Sequence, residues 1–256
     1  MDHDKIIERN TELTRRLLES AKPVSCSLAK TKFKKTGRAL ISYIPRAGYV
    51  NNSILDCYNS HNSYAAGILF RSMVEHAFRH LYIHTRALNE DSDLVGEEYY
   101  GKLKGSEDLE SFTKINNYTK IVHPDKTVWN TKGEHNKSIA EVGKQFGLSK
   151  IFYYVIENFN HDDEMIRDGM KDYLLERLNQ YTMLSSYVHG GPYAEMCHEE
   201  LIKDEEKRQT HIESIVSESF GLYKSVVETT HLFAYLHDEA MLPHWEAVRD
   251  IGKQEK

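Results

Sequence analysis

Cysteine is scarce in this chain: Cys26, Cys57 and Cys197 are isolated and odd in number. That excludes a disulfide framework or a cysteine-based zinc site as the frame of the fold, and it suits a reducing cytoplasm. Long apolar runs are missing too, the longest, Tyr64 to Phe70, being ended by Arg71. No membrane span is expected, and the start, Met-Asp-His-Asp-Lys, lacks the basic-then-apolar pattern of an export signal. Acidic residues are absent between Glu19 and Asp56, although the whole chain carries a formal charge of -6. Lys22, Lys30, Lys32, Lys34, Lys35, Arg38 and Arg46 make that stretch locally basic, either as a solvated linker or as an arm that contacts phosphate. No segment sustains a period of two and no repeat appears, which leaves an all-α fold.

The helical period is present along most of the chain. Asp4 to about Ala21 reads as an amphipathic helix closed by Pro23, followed by a basic arm or linker to Tyr49 that contains Gly37, Pro45 and Gly48. This divides the chain into an N-terminal helix and basic arm, 1–50, and a single helical-bundle domain, 51–256. From Asn52 to about Leu88 two helices are expected, broken near Asn59 to Ser63, and the second is apolar enough to be central. Residues 89–135 read as loops with one or two short helices. Ser138 and Glu141 form a capping box for a helix ending at Gly147, and Ser149 caps the next. After an acidic turn at His161 to Glu164, a helix runs to His189, where Gly190 supplies a left-handed cap and Pro192 forbids continuation. A helix from Tyr193 to about Lys207 precedes a long one, Glu213 to Met241, whose apolar stripe packs within the monomer or against a second copy. Pro243 to Ile251 adds a short terminal helix.

Several motifs have bland readings that outweigh the sharp ones. Ser138 to Phe159 has helix-turn-helix spacing, but its second helix is nearly all core, which favours a structural hairpin over DNA reading. His76, His80 and His84 lie four apart on one helix face, yet no carboxylate or cysteine completes a metal set. Two Glu-x-x-His pairs, Glu195 with His198 and Glu228 with His231, lie too close together for a di-metal bundle. Arg-x4-His occurs at Arg71 to His76 and at Arg79 to His84, about as often as chance allows. No metal and no cofactor are expected.

One stretch stands apart, Tyr181 to Pro192, because it places polar groups where a helix should be apolar. Tyr181, Ser185 and His189 follow one another at i, i+4 and i+8 beside Leu174, Leu178 and Val188. Polar groups on such a face need partners inside the fold. The best partners are Arg71 and Glu75, an oppositely charged i, i+4 pair on the central helix. An arginine cannot be neutralised by losing its proton, so removing Glu75 from a buried pair is expected to cost about 3 kcal/mol or more.

Arg71-x3-Glu75, then Trp129 before Ser138-Ile-Ala-Glu-Val-Gly, then Tyr181-x2-Leu-Ser-x2-Val-His-Gly resembles a bacterial helical family of unknown function. That family is grouped loosely with HEPN-like and abortive-infection proteins. The resemblance covers about Ile54 to Ala194 and implies an all-α fold, with Arg71, Glu75, Tyr181, Ser185 and His189 as the family-type polar positions. It departs from true HEPN nucleases in lacking their Arg-x4-6-His, since Arg177 precedes His189 by twelve residues.

Two functions follow as expectations. In one, the chain is a metal-independent ribonuclease or nucleic-acid-binding protein of bacterial stress or phage defence. His189 would then act as general acid or base, Arg71 would neutralise a phosphate, and Glu75, Ser185 and Tyr181 would position the rest. RNA would be held by the basic arm, with a homodimer as the minimal state, as HEPN-like domains commonly pair. In the other, it is a non-catalytic interaction or sensor module whose polar residues form a buried structural network.

Overall fold

The periodicity becomes helix along nearly the whole chain in the computed structural model, which describes residues 3–129, 131, 133–159 and 164–251. Every regular element among them is helical. α1 (His3–Glu19) and α2 (Ala21–Leu28) lead into α3 (Lys34–Asn59) and α4 (Ser63–Glu90). Then come α5 (Leu94–Glu98), a π-helical turn (Tyr99–Leu103), α6 (Lys104–Val122), α7 (Glu134–Gln145) and α8 (Leu148–Asn158). α9 (Glu164–His189), α10 (Pro192–Lys203), α11 (Glu205–His237), a 3-10 turn (Glu239–Met241) and α12 (Leu242–Asp250) complete the chain.

α3, α4 and α11 form the centre, with α8 and α9 on the other side of α4. Apolar residues of the three central helices, among them Tyr43, Tyr58, Met73, Val74, Tyr223 and Phe233, are fully buried there. A polar bridge pins α1 to this core: Asn51 donates to Thr14 Oγ1 at 3.1 Å and accepts from Ser219 Oγ at 3.0 Å. α2 is fastened similarly by Ser27, which donates to Asp238 at 2.7 Å.

The basic arm is a correction. Lys22 lies in α2 and Lys34 to Arg46 in α3, a 26-residue helix that passes through Pro45 and through the division at residue 50. No side chain of its own caps α3. The cap comes from Asp93, whose carboxylate accepts the Lys35 and Thr36 amides at 2.9 and 2.6 Å. Gly96 lets α5 approach that end: a Cβ there would lie 2.2 Å from the Thr36 nitrogen. A proline inside a helix costs about 3 kcal/mol; Tyr43, Ile44, Ala47 and Gly48, all buried around it, offset that through packing.

Residues 89–135 are likewise more ordered than expected, since α6 alone covers 19 residues. Ser138 sits inside α7, which begins behind Gly133, and Ser149 sits inside α8, which begins behind Gly147. The acidic turn falls largely on residues 160–163, outside those described. Gly190 closes α9 with φ 62° and Pro192 opens α10. α11 starts at Glu205, where Asp204 accepts the Lys207 amide at 3.0 Å, and its apolar stripe is buried within the monomer. No described helix is long and apolar enough to cross a membrane.

Candidate functional site

The geometry of the site follows from how α9 lies along α4. Tyr64, at the start of α4, donates to the carbonyl of Tyr187, near the end of α9, at 2.7 Å. Two turns further along α4, Arg71 meets the middle of α9. Its Nε donates to Ser185 Oγ at 3.1 Å and its Nη2 to the Tyr181 phenol at 2.5 Å. Its Nη1 reaches Glu75 at 3.5 Å. Ser185 donates its own proton to the Tyr181 carbonyl at 2.8 Å, so its lone pairs are what the arginine uses. Glu75 also takes Arg79 at 2.9 Å, and Arg79 reaches Glu107 of α6 at 3.8 Å. The Arg71 and Glu75 side chains keep 18% and 25% exposure.

Arg71, Glu75, Tyr181 and Ser185 therefore meet, and His189 does not join them. It is the last residue of α9 and is exposed, with no hydrogen-bond or ion-pair partner among the described residues. The reason is helical drift. Each four-residue step turns about 40° past a full circle and rises about 6 Å, while the Arg71 fork reaches back toward Tyr181, away from the helix end.

Two other buried arginines repeat the arrangement and were not singled out by sequence reasoning. Arg86 donates to Glu90 and to buried Glu98, both at 2.7 Å, and to the Tyr82 phenol at 3.2 Å. Arg177 binds Glu218 of α11 and donates to Gln180 at 2.6 Å, with its guanidinium 5.0 Å from the Tyr173 ring centre. The i, i+4 spacing of Arg86 and Glu90, a copy of Arg71 and Glu75, is the one signal that points to the former. Nothing local marks Glu218 as the partner of Arg177.

Two members of the histidine row, His80 and His84, are core, and His76 is half-buried. His80 is buried, and its Nε2 lies 2.8 Å from Thr230 Oγ1. Thr230 donates its proton to the Val226 carbonyl at 2.8 Å, so the imidazole must be the donor in that pair. Burial, with a smaller contribution from His84, pulls His80 down to about 3. Burial and then His237 pull His84 down to about 4. Among the described residues, no three histidine, cysteine or acidic side chains come close enough to hold a metal ion. The α7–α8 hairpin is also core, since Phe152 packs on Phe78 with ring centres 3.8 Å apart.

Part of the basic stretch is engaged by its neighbours, though only Lys32 and Lys35 by carboxylates. Lys32 pairs with Asp91 and Lys35 with Glu97, Arg46 donates to the Tyr99 phenol at 3.0 Å, and Arg38 lies 4.9 Å from the Tyr100 ring centre. Lys22, Lys30 and Lys34 stay exposed without an ion pair among the described residues. A different surface is unusual for its greasiness. Phe112, Ile115, Tyr118, Ile121 and Val122 project from α6 into solvent, with Tyr118 70% and Ile121 76% exposed. Trp129 extends the patch, its ring 5.0 Å from Phe112 and its backbone clasped by Asn116 at 2.7 and 3.2 Å.

A scan against protein-family models and searches of curated proteins and of solved structures find no match for the chain.

Proposed function

We propose that this chain is a non-catalytic helical interaction module and that its polar row is a clamp holding α9 on α4. One observation carries the reading: each branch of the Arg71 guanidinium is engaged by a side chain of the protein itself. A phosphate-binding arginine would need at least one branch turned toward substrate. The ribonuclease reading is weaker because its general acid or base, His189, has no partner to orient it. Its remaining support is the set of exposed cations without an ion pair among the described residues, Lys22, Lys30, Lys34, Arg38 and Arg46, as an RNA contact. Three free thiols fit a cytoplasmic setting.

The interaction surface is the α6 patch, on the order of 600 Å² of apolar surface, enough to mark a contact face. Its occupant is a second copy of the chain. Beyond Lys104, the first half of α6 carries Glu107, Asp108 and Glu110 and the second half Lys114 and Lys120; Glu110 is already paired with Lys114 at 2.7 Å, so chiefly Asp108 and Lys120 are left to attract when two copies lie antiparallel. With a polar rim added, the area approaches the roughly 800 Å² per partner of an ordinary specific interface. Light scattering at micromolar concentration is expected to give a dimer, and Ile115→Glu with Tyr118→Glu a monomer. A monomeric parent chain would remove self-association from the proposal. Cleavage of mixed RNA that survives EDTA and is lost in both Arg71→Ala and His189→Ala, with unchanged thermal midpoints, would overturn the non-catalytic reading itself.

A further inference from the structure

A cavity of about 310 Å³ opens between α9, α10 and α11, with Phe70 of α4 among its walls. Phe70, Leu184, Tyr187 and Ile215 give it a buried apolar floor. Its polar edge is built from Gln180, Ser214 and Glu218, already joined to one another: Glu218 accepts from Ser214 and from Gln180, each at 3.0 Å, and also binds Arg177. Two polar groups in the lining are left over. The buried Nε2 of His211 has no hydrogen-bond partner among the described residues, a costly state for an imidazole nitrogen. Burial, which disfavours its charged form, holds His211 below the ordinary histidine range against a smaller opposing pull from Glu218. Glu200, on α10, is an exposed carboxylate with no ion pair among the described residues. No lysine or arginine lines the cavity among the described residues.

An apolar floor with a few convergent polar groups is the usual form of a small-molecule site, and its charge selects the ligand. Carboxylates and phosphates would meet Glu200, which has no counter-charge among the described residues, while Glu218 is already paired with Arg177. We propose that the cavity binds a small amphipathic amine, its apolar body on Phe70, Leu184, Tyr187 and Ile215 and its ammonium group between Glu200 and the His211 edge. A small turn of the His211 ring toward the cavity would let its buried nitrogen accept the hydrogen bond it lacks, and Glu200 would gain its counter-charge. This site stands independently of the α6 face, so either reading can fail alone.

The test compares two probes with nearly the same body and opposite heads, 2-phenylethylamine and 3-phenylpropionate, titrated into the full chain at pH 7 by calorimetry or amide chemical shifts. The amine is expected to bind saturably and about ten-fold or more tightly than the carboxylate, roughly the effect of one partly screened ion pair and its reversal. Glu200→Gln should erase most of that preference. Met183→Trp, at a half-exposed lining position, should block both probes without lowering the thermal midpoint. Should Met183→Trp fail to fold, the probe pair and Glu200→Gln decide alone. Equal or tighter binding of the carboxylate, a preference unchanged in Glu200→Gln, or no binding of either probe at millimolar concentration would overturn the proposal.

Discussion

Replacing Tyr181 by phenylalanine removes one oxygen and keeps the ring, so it isolates the clamp from the packing around it. Arg71 would keep Ser185 at 3.1 Å and Glu75 at 3.5 Å and lose its shortest bond, the one to the phenol. A hydrogen bond to a charged group contributes about 1.5–3 kcal/mol when shielded from water. The arginine keeps 18% exposure, so water replaces part of what is lost and about 1.5 kcal/mol is expected. Arg71→Met retains much of the aliphatic stem and should cost about 2 kcal/mol, since it removes the phenol and hydroxyl bonds together. Made jointly, the two changes should cost about 1 kcal/mol less than their sum, because they delete a shared interaction. His189→Ala should be additive with either. Urea denaturation of the four members of each cycle measures this. A Tyr181–Arg71 coupling indistinguishable from zero, or a clear His189–Arg71 coupling, would refute the clamp as drawn.

Three further outcomes follow. Glu75→Ala should cost about 1 kcal/mol, well short of the figure for a fully buried pair, because Glu75 is a quarter exposed and sits 3.5 Å from Arg71; a loss near 3 kcal/mol by denaturation would contradict that. Gly96→Ala should lower stability by about 2–3 kcal/mol, because its Cβ would meet backbone, which cannot rotate aside; calorimetry showing less than about 1 kcal/mol would contradict the close approach. The urea midpoint should be level above about pH 6.5 and fall below it as His80 and His84 protonate in the unfolded chain first. Their folded values of about 3 and 4 make the slope up to about 1.4 kcal/mol per pH unit for each, between pH 6.5 and 4. A midpoint unchanged from pH 7 to pH 5 would show that these imidazoles are not held neutral.

What was legible in the sequence was periodic and local. The central character of α4, the end of α9 at Gly190 and the inward row at Tyr181 and Ser185 follow from helical spacing, because the residues that define them lie within a few turns. α3 escaped because its cap is donated by Asp93, in a later part of the chain, and because Pro45 and Gly48 imitate a loop. α6 escaped for the opposite reason. Its large apolar residues face water and its inward side offers small or polar groups such as Gly105 and Asn116, so the pattern is inverted. His189 was drawn into the row by a spacing rule that holds for one step and fails by the second. The Arg177–Glu218 pair joins helices 41 residues apart in sequence, and no local pattern encodes that choice.

The bridge from Thr14 through Asn51 to Ser219, with the Ser27–Asp238 bond beside it, also sets an order of events during synthesis. α1 and α2 leave the ribosome well before α11, one of the two helices they pack on. Until Glu205–His237 is made, the faces of α1, α2 and α3 that pack on it stay uncovered, although α1 and α2 can already pack on α3 and α3 on α4. The nascent chain therefore holds part of the apolar surface of α1–α3 open until that helix is made, and a ribosome stalled before residue 205 would carry a segment that chaperones and proteases can still reach.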